Sequence, residues 1–357
     1  MFIEKKEFTK CLSYENVDIR KVISTIEEGG LRIALIVNNQ NELIGTISDG
    51  DIRRGLLKGF SLESPISTII QRKCLKAKSN SPKEKISEMM KENGICQIPI
   101  VSDKNKLIGL EITEDLLPSS SKLLVPNHAL LMAGGRGSRL KPITNKCPKP
   151  LLPINGKPIL EIILEQCINF GIRNFYISVH YLAEKIINYF GDGSKWNVNI
   201  KYVKEQEPLG TAGALRLLPN DFGESLILIN GDVLSKINFQ DVLKYHEVNS
   251  ADVTICAREQ ILNSPFGVIE VEGIEFTSMT EKPSYKQLVN AGVYVLNSQI
   301  IKNIKPNQYL DMPDLINYSK QNGRKIIVYP IHEYWLDVGK PESLEKAMDE
   351  WGTMIEN

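Results

Sequence analysis

From residue 128 onward, short apolar runs alternate with stretches that carry apolar residues at helical spacing. Residues 129–133 (ALLMA), 174–179, 199–203, 226–230 (LILIN) and 252–256 read as strands, and the first and fourth are apolar almost throughout, as strands covered on both faces are. Residues 157–170, 182–190 and the short 212–218 read as helices. This alternation predicts an α/β domain with a mainly parallel sheet and ligands at the carboxyl ends of its strands.

The first third has another pattern, which repeats at an offset of 64 without a gap. Gly30 matches Gly94, Ile36 and Val37 match Ile100 and Val101, Asn41 matches Asn105, Leu43-Ile44-Gly45 match Leu107-Ile108-Gly109, and Asp51 matches Asp115: eight identities in 22 aligned positions. Each copy reads as helix, Gly turn, strand (IALIV, QIPIV), polar turn, strand (LIGTI, LIGLE), helix. A unit this small cannot cover both faces of its sheet, so two copies should pack together. The copies span about 8–60 and 66–117, within a first domain of 1–117. The stretch PSSSKLLVPN, 118–127, reads as a linker, and 128–357 as a second domain.

A chain of 357 residues suits two domains, and 42% hydrophobic with 24% charged residues is ordinary for a globular protein. With 43 basic and 43 acidic side chains, no net charge recommends a nucleic acid or an anionic membrane as partner. Cys11, Cys74, Cys96, Cys147, Cys167 and Cys256 are scattered, without zinc-ligand spacing, and read as reduced thiols. The charged N-terminus MFIEKKEFTK has no apolar core and no run approaches membrane-spanning length, so a cytoplasmic protein is expected.

Chemistry concentrates in ALLMAGGRGSRLKPITNKCPKP, 129–150. After the strand, Gly134, Gly135 and Gly137 allow a sharp turn that exposes backbone N–H groups, while Arg136, Arg139, Lys141, Lys146 and Lys149 add positive charge with no acid among them. An amide-rich cationic loop suits a triphosphate. It is not a Walker loop, since Gly137-Ser138-Arg139 stands where Gly-Lys-Ser/Thr is needed, nor a dinucleotide fingerprint, since Leu140 replaces the third glycine.

The arrangement GG-x-G-x-RL followed by PKP-hh-P closely resembles the signature of the sugar-1-phosphate nucleotidyltransferases. That resemblance implies a Rossmann-like, GT-A-like sheet, with Met132, Ala133, Gly134, Gly135, Gly137 and Ser138 at the nucleotide and Arg139 and Lys149 on its phosphates. It implies magnesium on Asp232, in Asn230-Gly231-Asp232, and on Asp337, in Trp335-Leu336-Asp337-Val338-Gly339. Read alone, Asp232 is equally a turn residue or a cap. Gly210 and Thr211, in EQEPLGTAGAL, are implied at the base, and close packing is the local alternative. Glu205 is in the base-reading position; an ionised carboxylate accepts from the adjacent N1–H and N2–H2 donors of guanine, whereas the neighbouring Gln206 would suit thymine or uracil better. On the acceptor side the resemblance places Lys282 at the sugar phosphate, and Glu281, Gly267 and Asn290 at sugar hydroxyls. His180, His246 and His332 read as packed or surface imidazoles, because a sugar-1-phosphate dianion needs no general base.

The repeat resembles a tandem pair of CBS modules, adenosine-nucleotide sensing units. By that resemblance Ser48 and Asp51 hold a ligand in the first copy. The second keeps Asp115 but has Ile112 at the hydroxyl position and Thr113 one place late. Read locally, Ser48 and Asp51 are helix caps. A CBS pair also holds subunits together, so a homo-oligomer is expected. The two domains combined resemble CBS-fused guanylyltransferases of bacterial legionaminic acid and related surface-sugar pathways, implying GTP and glucosamine-1-phosphate; mannose- and heptose-1-phosphate guanylyltransferases share the motifs. Of the rival classes, a glycosyltransferase would carry paired acids where Gly231 precedes Asp232. A non-catalytic nucleotide sensor would have lost charged motif residues, and none is lost.

Overall fold

The computed structural model describes residues 2–3, 8–113, 125–219, 221–306 and 308–353. The chain divides into two compact units, Met1–Ser121 and Lys122–Asn357.

In the first unit the repeat becomes two similar modules. The first has α1 (Ile19–Gly29), β1 (Ile33–Val37), β2 (Leu43–Ser48) and α2 (Asp49–Leu57). The second has α3 (Lys83–Asn93), β3 (Gln97–Val101) and β4 (Leu107–Ile112). The helix expected after β4, with Asp115, lies outside the described residues, as do 118–124 of the expected linker. Strand alternation sends Ala34 and Ile36 to a core with Val22, Ile26 and Ile52 of their own module. The other face, Ile33, Leu35 and Val37, packs in one cluster with Val101, Leu107 and Leu110 of the second module. Each module thus covers a sheet face of the other. The polar turns cross over in the same symmetric way. Asn41 and Asn105 both have left-handed backbones, the N–H of Leu43 donates to the Asn105 carbonyl (3.0 Å), and that of Leu107 donates to the Asn41 carbonyl (2.9 Å).

The second unit is built on a seven-stranded sheet. Its strands are β5 (Val125–Met132), β6 (Ile172–Val179), β7 (Asn199–Lys204), β8 (Ser225–Asn230), β10 (Val253–Asn263), β13 (Ser284–Asn297) and β14 (Ile326–Ile331), in the order β7-β6-β5-β8-β13-β10-β14. Four of its six pairings are parallel, and β13 runs against both its neighbours. Alternate residues divide between two cores: Ala129, Leu131, Ile227 and Ile229 face the one that includes α4 (Ile159–Asn169) and α5 (Ala183–Phe190), and Leu130, Leu226 and Leu228 the other. A separate two-stranded ladder joins β9 (Val233–Ser235) to β15 (Trp335–Asp337). Helices α6 (Phe239–Val248), α7 (Met312–Gln321) and α8 (Pro341–Thr353) complete the unit. No helix among the described residues is long and apolar enough to cross a membrane.

Two expectations change. Residues 125–127, read as linker, already belong to β5, where Val125 pairs with Ile172; a register irregularity follows that pair, the setting in which a strand tolerates Pro126. The strand expected at 252–256 runs on to Asn263, because residues 259–263 pair with β13 as a ribbon beyond the sheet. That ribbon ends in a hairpin, β11 (Val268–Glu272) and β12 (Glu275–Thr280), which pairs only with itself among the described residues.

The chain order β5, β6, β7 moves outward on one side and then returns to β8 on the other, so the strand ends at Met132 and Asn230 flank a topological switch point. Gly231 donates its N–H to the Met132 carbonyl at 2.9 Å, and a Cβ there would lie 2.4 Å from the same oxygen. Gly231→Ala should therefore cost about 2–3 kcal/mol, read as a lower denaturant midpoint. His246 is a packed imidazole that donates from Nε2 to Asn297 Oδ1 (3.0 Å) and accepts at Nδ1 from Thr254 Oγ1 (2.8 Å), the tautomer that its amide partner requires. Burial holds its pKa below the ordinary 6.5, outweighing the pull of Asn297, Glu247 and Asp252, so the unfolded chain binds the proton more readily. Its contribution to stability is full above pH 6.5 and is lost as pH falls below it. Melting temperature should fall over that range, less steeply in His246→Gln.

Candidate active site

The candidate site lies where β5 and β8 end. After β5 the chain leaves the sheet as an exposed loop, and among the described residues the N–H groups of Gly134 to Ser138 have no protein acceptor. Gly137 is left-handed (φ 59°), and a Cβ there would come within 2.9 Å of Thr144 and 3.0 Å of Lys149. Thr144 Oγ1 donates to the Gly137 carbonyl (2.9 Å) and so fixes the loop against the segment that carries Lys149. The signature's two halves are thereby folded on one another.

Lys149 is buried, and its Nζ meets Asp232 Oδ2 at 2.5 Å. Asp232 follows Gly231 at the end of β8, and the β9–β15 ladder sets Val233 opposite Asp337, with the Val338 N–H bonded to the Asp232 carbonyl (2.9 Å). One short ladder thus brings together two carboxylates from distant parts of the chain. Asp337 Oδ1 is buried and has no hydrogen-bond partner among the described residues. Burial, then the adjacent Asp232, push the Asp337 pKa up, while Lys149, Arg139 and Lys340 pull it down. Arg139 is close by: its Nη1 would be 3.4 Å from a Cβ on Gly339. A buried, unpartnered carboxylate oxygen beside a second carboxylate fits a hard divalent cation, which takes one or two carboxylates and completes its shell with phosphate and water.

Glu205 follows β7 and faces the same loop, since a Cβ on Gly134 would be 2.9 Å from its Oε1. Ser178 Oγ donates to Oε1 (2.5 Å) and the Leu209 N–H to Oε2 (3.1 Å), so the carboxylate is oriented before any ligand arrives. Each oxygen retains a lone pair. Gln206, the alternative reader, is exposed. Gly210 and Thr211 are placed differently from Glu205. A Cβ on Gly210 would be 2.6 Å from the Leu310 carbonyl oxygen, the Thr211 N–H donates to Asp311 Oδ1 (3.0 Å), and Thr211 Oγ1 accepts from the Met312 N–H (2.8 Å). The turn docks on 310–312 through these contacts.

The acceptor-side residues cluster on the ribbon. A Cβ on Gly267 would be 2.9 Å from Glu281 Oε2, and the Ser264 N–H bonds the Pro283 carbonyl (3.0 Å), closing the neck between ribbon and hairpin. Lys282 is exposed on that neck, with a left-handed backbone (φ 43°). Asn290 accepts from the Gly292 N–H (3.0 Å) and donates to the Tyr294 hydroxyl. Among the described residues no hydrogen bond or ion pair joins Lys282, Glu281 or Asn290 to the Asp232–Asp337 pair.

In the first module Ser48 caps α2 in a capping box. Asp51 Oδ2 accepts from the Ser48 N–H (2.8 Å) and hydroxyl (2.6 Å), and Oδ1 from Arg54 (2.7 Å) and Gln71 (2.9 Å). Asp51 is buried, and a ligand would have to displace one of these donors.

Sequence reading had no signal for Ser178 or Asp311, which act through contacts between distant segments. Lys340 was visible as the residue after Trp335–Gly339, without a reason to single it out.

Comparisons with known proteins place both units among known families. Residues 128–353 match the nucleotidyl transferase family, and 14–58 match the CBS domain. The bifunctional protein GlmU of Methanococcus maripaludis is 33% identical over 223 residues, 60% of this chain and 51% of that protein. A mannose-1-phosphate guanylyltransferase of Mycobacterium tuberculosis is 32% identical over 229 residues, 61% of this chain and 63% of that protein. This chain therefore spans between half and two thirds of the length of these curated relatives. The crystal structure of HddC from Yersinia pseudotuberculosis complexed with GMP-PN shares the fold at a TM-score of 0.51 and 24% identity, covering 63% of this chain and 99% of that one. With the family's pattern spanning residues 128–353, this chain belongs to the nucleotidyl transferase family.

Proposed function

We propose that the chain transfers a nucleoside monophosphate from a nucleoside triphosphate to a sugar-1-phosphate. An oxygen of the sugar phosphate attacks the α-phosphorus, the bond to the pyrophosphate oxygen breaks, and a nucleoside-diphosphate sugar and pyrophosphate leave. The observation that carries this reading is the meeting of Asp232, Asp337, Lys149 and Arg139 at the switch point, beside a loop of unpaired amides.

The nucleophile is already ionised, so the barrier lies in bringing two polyanions together and aligning them. Loop amides from Gly134 to Ser138 receive phosphate oxygens, and Arg139 and Lys149 neutralise them. Asp232 and Asp337 would hold magnesium, which would supply positive charge to offset the phosphates. Without a ligand, Lys149 serves as the counter-ion of Asp232, and an arriving triphosphate competes for the same ammonium. Lys282, on the neck of the ribbon, meets the sugar phosphate, with Glu281, Gly267 and Asn290 toward sugar hydroxyls.

GTP is the favoured donor. The support is Glu205, held by Ser178 and Leu209 with one free lone pair on each oxygen, and the guanylyltransferase among the curated relatives. Glucosamine-1-phosphate is the favoured acceptor, on the resemblance to CBS-fused guanylyltransferases of surface-sugar pathways such as legionaminic acid synthesis, with mannose- and heptose-1-phosphate as alternatives. An adenine nucleotide at the first CBS module is the matching regulatory proposal.

The test is pyrophosphate release with magnesium, four nucleoside triphosphates and glucosamine-, mannose-, glucose- and heptose-1-phosphate. Release with GTP is expected, reduced ~100-fold or more in Asp232→Asn and Lys149→Met. Glu205→Gln should lower the preference for GTP over UTP by ~10–100-fold, the effect of one mismatched buried hydrogen bond. Release that needs UTP or dTTP in the unaltered chain would reject guanine, and release unaffected by Asp232→Asn would reject the site.

A further inference from the structure

The hairpin β11–β12 carries an apolar face that is largely exposed and belongs to no hydrophobic cluster among the described residues. Register pairs Ile269 with Met279 and Val271 with Phe276, and alternation along β11 puts Ile269 and Val271 on the same side, so these four share one face. All are exposed: Val271 by 62% and Phe276 by 64%, with Ile274 at the tip fully exposed and Phe266 at the neck by 74%. The opposite face is polar and acidic. Glu270 pairs with Ser278, whose Oγ donates to its carboxylate (2.9 Å), and Glu272 pairs with Glu275. Between residues 268 and 280 there are three glutamates and no lysine or arginine.

A two-stranded hairpin is marginal by itself in water, and an amphipathic one needs its apolar face covered. We propose that this face is an isologous interface to a second copy of the chain, with two hairpins packed apolar face to apolar face across a two-fold axis. Three observations select that occupant. The acids lie on the far face, so face-to-face packing of two copies opposes no carboxylates, while the acidic charge disfavours an anionic membrane or a nucleic acid. The four face residues offer on the order of 400 Å², taking roughly 150–200 Å² per fully exposed large side chain, and the exposed Ile274, Phe266, Leu262 and Tyr285 along the same arm add apolar area toward the roughly 800 Å² each partner contributes to a standard stable interface. The neck that carries Glu281 and Lys282 is continuous with this arm, so pairing of the arms also steadies the proposed acceptor residues.

Sedimentation velocity on the full chain tests this, comparing the unaltered protein with Val271→Glu/Phe276→Ser. The unaltered chain should sediment as an even multiple of its 40.2 kDa mass, and the double variant at half that particle mass with an unchanged circular dichroism spectrum. Single-chain mass for the unaltered protein, or equal oligomeric mass for both, would overturn the proposal. Hydrogen exchange on the unaltered chain decides the matter if the variant fails to fold: the amides of 268–280 should gain protection as concentration rises, and protection that does not change would overturn the proposal too.

Discussion

Holding two carboxylates side by side in a half-buried pocket is electrostatically unfavourable, and the second unit is arranged around that problem. Burial and Asp232 both raise the Asp337 pKa, and its Oδ1 has no donor among the described residues. Lys149 answers half of the charge by a direct ion pair with Asp232, and Arg139 and Lys340 act on Asp337 at longer range. This arrangement requires the end of β8, the β15 segment and the signature loop to meet at one point. Gly231 permits it at the backbone level, and the Val338–Asp232 hydrogen bond locks the ladder to the strand end. On the proposed function, a cation and a polyphosphate arriving together would relieve this arrangement, because each offsets a charge that the other leaves exposed.

The same logic gives the cationic loop its form. Its amides find no protein acceptor among the described residues, and Gly137 turns the chain back while Thr144 ties it down, so the loop is held by the segment that also delivers Lys149. Glu205 is separately fixed by Ser178 and Leu209 on the far side of Gly134. The loop and the Glu205 carboxylate are thus each held by protein hydrogen bonds, and on the proposed reading such preorganisation would lower the ordering cost of binding a nucleotide.

Much of this was legible in the sequence because it is local. Apolar runs such as 226–230, the glycine loop and the 64-residue repeat each announce themselves within a short window, and the structure places strands and modules there. What was not legible depends on partners far away in the chain. Residues 125–127 look like linker until Val125 is seen to pair with Ile172, and β10 looks like a five-residue strand until β13 extends it. Gly210 and Thr211 have the composition of a base platform, yet their tight contacts are with 310–312. Ser48 and Asp51 suited either a ligand or a helix cap by type alone, and the structure shows the cap, with the second Asp51 oxygen bonded by Arg54 and Gln71. The mutual burial of the two modules was foreseeable from their size, whereas the exchange of turn contacts between Asn41 and Asn105 required coordinates.

The most direct measurement is of cation binding at the carboxylate pair, with manganese as a spectroscopic stand-in for magnesium. Free and bound manganese can be counted by electron spin resonance with the full chain, with and without GTP, in the unaltered protein and in Asp337→Asn. A pocket formed by Asp232 and Asp337 predicts weak binding alone, tighter binding with GTP, and a loss of ~10-fold or more in the variant. Manganese affinity that is the same in both proteins, with GTP present, would contradict it.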